Sequence, residues 1–443
     1  MRQVAKGFLS VLLVLLLTVL GFILYVNYDY GLESTEAKRP ASETPAPVVV
    51  TPATTPTPTP ARENNVDITI AVCGDLVCHT GINSEALQAD GSYNYVPVFG
   101  GAVAVVQEAD YAIVTLETTF ADTAEYTGYP RFKSPDGLAE SLNAAGFDLI
   151  NTASNHSMDG DQGGLFRTLN VLDEYGLDHV GTYRSQEERD ENSGILVKDI
   201  NGISIAFVSY TYGTNGLPIT GFEYAVNLIF SDYLTTLRDI DYDSLKMDMA
   251  AARELDTDLI VAMMHWGNEY ARMPAAHQTE LADFLFAEGA DIVLGGHAHV
   301  PEPMELRHVI DKEGNEKTGF IVYCLGNFIS CQNDRYTNLT AALSLGIRKR
   351  LDTGETYLKS VSYKPLFMVD LADYGLSSSW RYRLWDLRGA IMSYKGGDDL
   401  GIISQNLYDK LVVGLDDIHE IFDPAFDEAN GGVDVLAWAR ENG

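Results

Sequence analysis

The chain has 443 residues, 30 Lys and Arg against 63 Asp and Glu, a formal charge of −33, and 46% hydrophobic residues. That is enough apolar material for a sizeable core, and four cysteines are too few for a disulfide-built scaffold. A field of that sign repels phosphate backbones, which excludes nucleic acid as a partner, and an anionic substrate then needs a locally positive site, for which metal ions are the usual device.

The first element is an apolar run, Phe8 to Val26, with no charge between Lys6 and Asp29. At ~1.5 Å per residue such a helix nearly spans a hydrocarbon core of ~30 Å. Arg2 and Lys6 precede it, so the positive-inside rule puts residue 1 in the cytoplasm. The run is longer than the ~7–15 residues of a cleaved signal's apolar region, and no small-x-small site follows closely. The first cysteine is Cys73, which excludes a lipoprotein. Residues 1–30 therefore read as a cytoplasmic stub and single-pass signal anchor in the cell membrane, with the C-terminal domain extracellular. Residues 31–64 hold seven of the 16 prolines among Thr and Ala, an extended spacer unable to build a core. Beyond the membrane disulfides are allowed, and Cys73, Cys78, Cys324 and Cys331 permit three pairings among which the sequence does not choose.

From Val66 the chain alternates strands and helices. Strands are expected at Val66–Cys73, Tyr111–Leu116, Phe147–Ala153, Ile203–Tyr210, Asp258–Met264, Ala290–Leu294 and Phe320–Cys324. Helices are expected after Ser134-Pro135-Asp136 and over Gly164–Tyr175, Ser244–Leu255 and His277–Ala287. Asn201-Gly202 is a hairpin signal between Gly194–Ile200 and Ile203–Tyr210. This alternation predicts an α/β core with a largely parallel sheet. Further strands follow at Ala341–Arg348 and Thr356–Tyr363, completing a domain over 65–370. Trp380–Tyr394 and Ile403–Phe422 look helical, giving a C-terminal helical extension over 371–443.

Asp75, Glu117, Asn155, His156, His265, His297 and His299 all fall just past the carboxyl end of an expected strand, the edge where open α/β sheets bind ligands. Two carboxylates, an amide oxygen and several imidazoles make a mixed O/N donor set suited to Mn, Zn or Fe, with enough ligands for two divalent ions. No Gly-x-Ser-x-Gly, P-loop or His-Glu-x-x-His motif is present. Trp266, Glu269 and Tyr270 follow His265 and are candidates for a substrate wall.

Six ordered motifs carry a resemblance: Gly74-Asp75-Leu76, Leu116-Glu117-Thr118, Ser154-Asn155-His156 with Asp159, His265-Trp266-Gly267-Asn268-Glu269-Tyr270, Gly295-Gly296-His297-Ala298-His299 and Leu325-Gly326-Asn327-Phe328. Their order over about residues 66–335 resembles the CapA-type capsule synthesis proteins, associated with poly-γ-glutamate and similar to calcineurin-like metallophosphoesterases. The resemblance implies a four-layer α/β/β/α sandwich, with Asp75, Glu117, Asn155, His265, His297 and His299 as metal ligands. It implies that His156 contacts the scissile group or protonates the leaving group, with Asp159 as its acidic partner, and that Asn327 joins the substrate site. The phosphoesterase pattern opens Asp-x-His, whereas here the nearest histidine is His79, four residues on, and Ser157 stands where an acid usually follows His156. The expected role is metal-dependent hydrolysis in envelope polymer biosynthesis. Its partners would be poly-γ-glutamate or a lipid-linked precursor and capsule synthesis or export subunits; the alternative is a non-catalytic polymer-binding or assembly subunit.

Overall fold

The sequence NVDITIAVCGDL, rich in β-branched and small residues, forms strand β1 (Asn65–Leu76), on which the first sheet is built. The structure, a computed structural model, describes residues 64–123 and 125–442; the anchor run and all but the last residue of the spacer lie outside the described residues. The later strands are β2 (Tyr111–Leu116), β3 (Thr119–Phe120), β4 (Lys133–Ser134), β5 (Leu149–Asn151), β6 (Asp178–Val180), β7 (Leu196–Ile200), β8 (Ile203–Thr211), β9 (Leu259–His265), β10 (Ile292–Gly296), β11 (Pro301–Ile310), β12 (Glu316–Leu325), β13 (Asn327–Ile329), β14 (Leu339–Arg350), β15 (Thr356–Asp370), β16 (Tyr382–Asp386) and β17 (Val433–Asp434).

One sheet has the order β16-β15-β14-β1-β2-β5-β6, with β13 also on β1 and β17 on β15. The other runs β11-β12-β10-β9-β8-β7. Their centres are parallel, β1 to β2 to β5 to β6 and β8 to β9 to β10 to β12. The expectation of a largely parallel sheet is corrected at the flanks, where β14, β15 and β16 pair antiparallel, as do β11 with β12 and β7 with β8. Short turns enforce this for β14 with β15, β11 with β12 and β7 with β8, because neighbouring strands joined by a few residues must reverse. Asn201 and Gly202 both take positive φ in the β7–β8 hairpin.

The period-two alternation of β1 assigns its faces. Ile68, Ile70 and Val72 point into one buried cluster with Phe207, Val261, Met263, Phe320 and Val322 of the second sheet. Ala71 and Cys73 point the other way, toward Leu138 and Leu142 of the helix Gly137–Ala145. The second sheet repeats the pattern, turning Val208, Ala262 and Val293 toward Leu245 and Met249 of the helix Tyr242–Glu254 and Leu281 and Leu285 of the helix Ala276–Ala287. The layers therefore run helices, sheet, sheet, helices.

Two more expectations change. Trp380–Tyr394 is not one helix: Tyr382 and Leu384 alternate inward and pair with β15, and Asp386 then caps a helix over Leu387–Lys395. Residues 371–443 do not stand apart as a helical extension, since β16 and β17 complete the first sheet and Ile418, Ile421 and Phe422 of the helix Gln405–Phe422 enter the inter-sheet core. All four cysteines are free thiols, three of them buried. Among the described residues no helix is long and apolar enough to cross a membrane.

Phe207 is fully buried between the sheets and stacks on Tyr111 at 5.9 Å. Phe207→Ala should therefore cost about 3–5 kcal/mol in a urea titration. A loss below about 1 kcal/mol would show that the inter-sheet layer is not the stabilising core.

Candidate metal centre and its histidine–aspartate pair

A bulge near the end of β1 aims the first ligand. Val72 pairs with Ile113 but Asp75 with Thr115, so three steps along β1 match two along β2. Such a bulge bends the strand and redirects the side chain that follows. Gly74 makes the approach possible, because a Cβ there would sit 1.9 Å from the Gly326 carbonyl that accepts the Asp75 N–H at 3.0 Å. Asp75 Oδ2 then accepts the His297 N–H at 2.7 Å, tying the first sheet to the loop after β10 of the second. A side chain on Gly296 would fall 2.4 Å from Asp75 Oδ1, so the carboxylate occupies the space that this glycine leaves open.

The other candidates arrive from the same edge. Glu117 follows β2, Asn155 follows β5, His265 ends β9, and His297 and His299 follow β10; all are buried. His265 Nε2 lies 3.4 Å from Glu117 Oε1 and 2.9 Å from Asn155 Oδ1, and its Nδ1 is 3.9 Å from Asp75 Oδ1. His299 Nε2 lies 3.9 Å from the other Glu117 oxygen. Two groups result, Asp75–Glu117–His265 and Glu269–His297–His299, each with ligand atoms within 4.8 Å of one another. Glu117 reaches histidines of both. His297 and His299 hold φ of +91° and +60°, left-handed conformations that cost about 1–3 kcal/mol each in a non-glycine residue and recur at functional sites.

The donor set fits a divalent cation. Asp75 Oδ1, both Glu117 oxygens, His265 Nδ1 and His297 Nδ1 are buried with no hydrogen-bond partner among the described residues, a concentration of orphaned atoms that folded proteins avoid. Burial raises the Asp75 carboxyl above its ordinary range, and burial with repulsion from Asp75 raises Glu117 further. Burial, then the neighbouring imidazoles, depress His265 and His297, and burial holds His299 down to about 4. Cations reverse the carboxylate cost and prefer neutral imidazoles, so bound cations would satisfy the whole set.

Beside the ligands, the His156 Nδ1–H donates to Asp159 Oδ2 at 2.8 Å. The same oxygen accepts the Phe132 N–H at 2.5 Å, and the Phe132 ring stands edge-on to the imidazole at 4.6 Å.

The expected substrate wall divides. Trp266 is fully buried, donates its indole N–H to the Tyr323 carbonyl at 3.1 Å and stacks on Tyr323, so it is corrected to a core residue. Asn327 is also buried, its Oδ1 accepting the His299 Nδ1–H at 2.9 Å; it orients a candidate ligand rather than facing a substrate. Glu269 joins the second ligand group. Tyr270 remains at the rim, half exposed, 6.0 Å from the His299 ring. His79 falls in neither ligand group; its Nδ1 accepts the Cys331 N–H at 3.3 Å and its ring meets Phe132.

Sequence reasoning passed over Tyr212 and Asn215. The Tyr212 ring lies 4.3 Å from that of His297, and Asn215 Oδ1 accepts from Asn155 Nδ2 at 3.2 Å and from the Tyr212 hydroxyl at 3.1 Å. Asn215 Nδ2 stands 3.4 Å from the His156 ring nitrogens, linking Asn155 to His156. The signal was available, since both residues follow β8 at the same strand edge as the ligands.

Glu269→Ala and His297→Ala should each lower metal affinity by at least about 10–100-fold, read as bound metal after dialysis, while Tyr270→Ala leaves it unchanged. Equal metal in all three variants would return Glu269 to the substrate wall. The pH dependence has a definite sign. In metal-free protein the raised carboxyls contribute stability below about pH 4 that is lost as pH rises through their folded values. The depressed imidazoles contribute above about pH 6.5, and that is lost as pH falls through their folded values. A cation needs bare carboxylates and neutral imidazoles, so its stabilisation grows with pH. Melting temperatures with and without chelator should nearly coincide at pH 5 and differ by at least about 4 °C at pH 8. A larger chelator effect at pH 5 would contradict this assignment.

Known proteins place the chain. The family described as bacterial capsule synthesis protein PGA_cap matches residues 69–332, more than half of the chain. The capsule biosynthesis protein CapA of Bacillus anthracis is 25% identical over 308 residues, covering 68% of each chain. The PGA biosynthesis protein CapA of Bacillus subtilis (strain 168) is 27% identical over 267 residues, 60% of this chain and 63% of that one. A probable polyglutamine synthesis accessory protein of Mycobacterium tuberculosis is 24% identical over 216 residues, 47% of this chain and 55% of its own. Among solved structures, a novel phosphatase from Mycoplasma pneumoniae aligns over 68% of this chain and 93% of its own at 15% identity, with a TM-score of 0.37. The chain belongs to the PGA_cap family of bacterial capsule synthesis proteins.

Proposed function

We propose that this protein is a metal-dependent hydrolase of envelope polymer biosynthesis, anchored in the cell membrane by Phe8–Val26 with its folded part outside. The observation that carries the hydrolytic reading is the His156–Asp159 pair, set directly beside Asn155, whose Oδ1 lies on His265. The bond cleaved is a phosphoester, or an amide, in poly-γ-glutamate or a lipid-linked precursor, in concert with capsule synthesis or export subunits. The names of the CapA relatives support the polymer assignment.

Two divalent ions, Mn, Zn or Fe, would be held by Asp75, Glu117, Asn155 and His265 on one side and by Glu269, His297 and His299 on the other, with Glu117 between. Bound there, such ions supply the Lewis acidity and local positive field that an anionic ester needs in a chain of charge −33. The protein's own residues supply the proton. Because a carboxylate can only accept, Asp159 holds the His156 Nδ1–H in either charge state, so the imidazolium gives its Nε2 proton to the leaving atom and is left as the neutral Nδ1–H ring. Asn215 and the Phe132 edge hold the ring plane while that transfer occurs.

A second reading, a non-catalytic polymer-binding or assembly subunit, is favoured by the accessory role in the name of the mycobacterial relative. His156→Ala separates the two. In a hydrolase it keeps fold and metal but loses turnover by ~10²–10⁴-fold, whereas Asp75→Asn loses both. Capsule polymer production in cells that survives His156→Ala but fails on Asp75→Asn supports the assembly role and rejects the catalytic one.

A further inference from the structure

The hairpin that precedes and includes β4 is bolted to the centre through Phe132 and Arg131. β4 lies beside β3 with Lys133 opposite Thr119, two residues past Glu117, and Thr127 and Lys133 exchange backbone hydrogen bonds at 2.9 and 3.1 Å. Arg131 donates from Nε to the Asp159 carbonyl at 2.7 Å, next to the Phe132 N–H on the carboxylate. Any group lodged in this hairpin is therefore fixed relative to both Glu117 and the His156–Asp159 pair.

A cavity of about 550 Å³ opens there, lined by Thr80, Tyr126, Tyr129, Arg131, Lys133 and Asp161, among others. Its charges do not cancel. Arg131 is paired with Asp161 at 2.7 Å, but the half-buried Lys133 ammonium has no ion pair or hydrogen bond among the described residues. Lys246, Lys395 and Lys410 also have no ion pair among the described residues but are exposed, whereas Lys133 is half-buried. Removing such a group partly from water without a counter-charge costs free energy that an arriving anion restores. Tyr129, 80% exposed, and Tyr126 give the cavity aromatic faces and hydroxyls suited to the uncharged backbone between anionic groups.

We infer that this cavity is a substrate subsite for an oxyanion group flanking the scissile bond, a carboxylate or a phosphate, with Lys133 as its specificity-determining cation. This deepens the hydrolase reading and rests on it for the word substrate, but binding alone tests it. Two oligomers separate the sources: γ-linked glutamate, which carries only carboxylates, and glycerol phosphate, which carries only phosphates.

Calorimetric titration of the full-length protein in detergent should show one of them binding. Lys133→Gln should weaken that binding about tenfold, as expected for loss of a charge-assisted contact. Lys133→Arg should keep it within about threefold, since the charge remains. Bound metal should be the same in all three proteins. The subsite is overturned if neither oligomer binds the unaltered protein, or if Lys133→Gln binds as the unaltered protein does. Turnover measured on the same samples keeps the two claims apart. Lys133-dependent binding without any hydrolysis rejects the hydrolase reading alone, and hydrolysis with Lys133-independent binding rejects the subsite alone.

Discussion

Asp75 and Glu117 place two carboxyl groups in the same buried junction between the sheets, where three of their four oxygens have no hydrogen-bond donor among the described residues. Burying even one such charge without a partner costs several kcal/mol in real proteins. Much of the surrounding architecture exists to hold them there regardless. The β1 bulge turns Asp75 inward, Gly74 lets the Leu325–Gly326 backbone cross beneath it, and Gly296 yields the volume its carboxylate fills. The left-handed His297 and His299 bring two imidazoles to the same place. Electrostatic cost at the centre and backbone strain around it point to one compensating species, a cation, and the proposed chemistry follows from that requirement.

The junction also explains why both sheets are needed. Glu117 and Asn155 come from one sheet, His265, His297 and His299 from the other, and the His297 N–H on Asp75 joins them. The inter-sheet core, with Phe207, Phe320 and Val322 against Ile70 and Val72, sets the spacing at which these side chains meet. A shift of one sheet against the other would draw His265 away from Asp75 and Glu117. Stability and site geometry are therefore coupled through the same layer.

Much of this was legible in the sequence because strand ends are legible. Asp75, Glu117, Asn155, His265, His297 and His299 each follow a run of β-branched residues, and an α/β fold places such ends together. What the sequence concealed was direction. Nothing in Trp266 marks it as turned into the helix-covered face of the second sheet, nor in Glu269 that a loop returns it to two histidines. Asn327 orienting His299 depends on β12 and β13 passing beside the β10 loop, a tertiary fact. The strand Tyr382–Asp386 is short and runs straight into the helix Leu387–Lys395, so the two read together as one helical run until β15 pairs the first part. Tyr212 and Asn215 obey the same strand-end rule after β8, but a hydroxyl or an amide at a strand end is a weaker mark of a site than a carboxylate or an imidazole.

The central claim is that the two carboxylates are buried for the sake of cations. Anomalous diffraction at the Mn, Fe and Zn edges, from crystals of the protein grown with each metal, tests it most directly. The account predicts two anomalous peaks, one among Asp75, Glu117 and His265 and one among Glu269, His297 and His299, with Glu117 in contact with both. Diffraction that shows no anomalous peak in either group at any edge, with the carboxyls protonated and hydrogen-bonded to each other or to water, would contradict it.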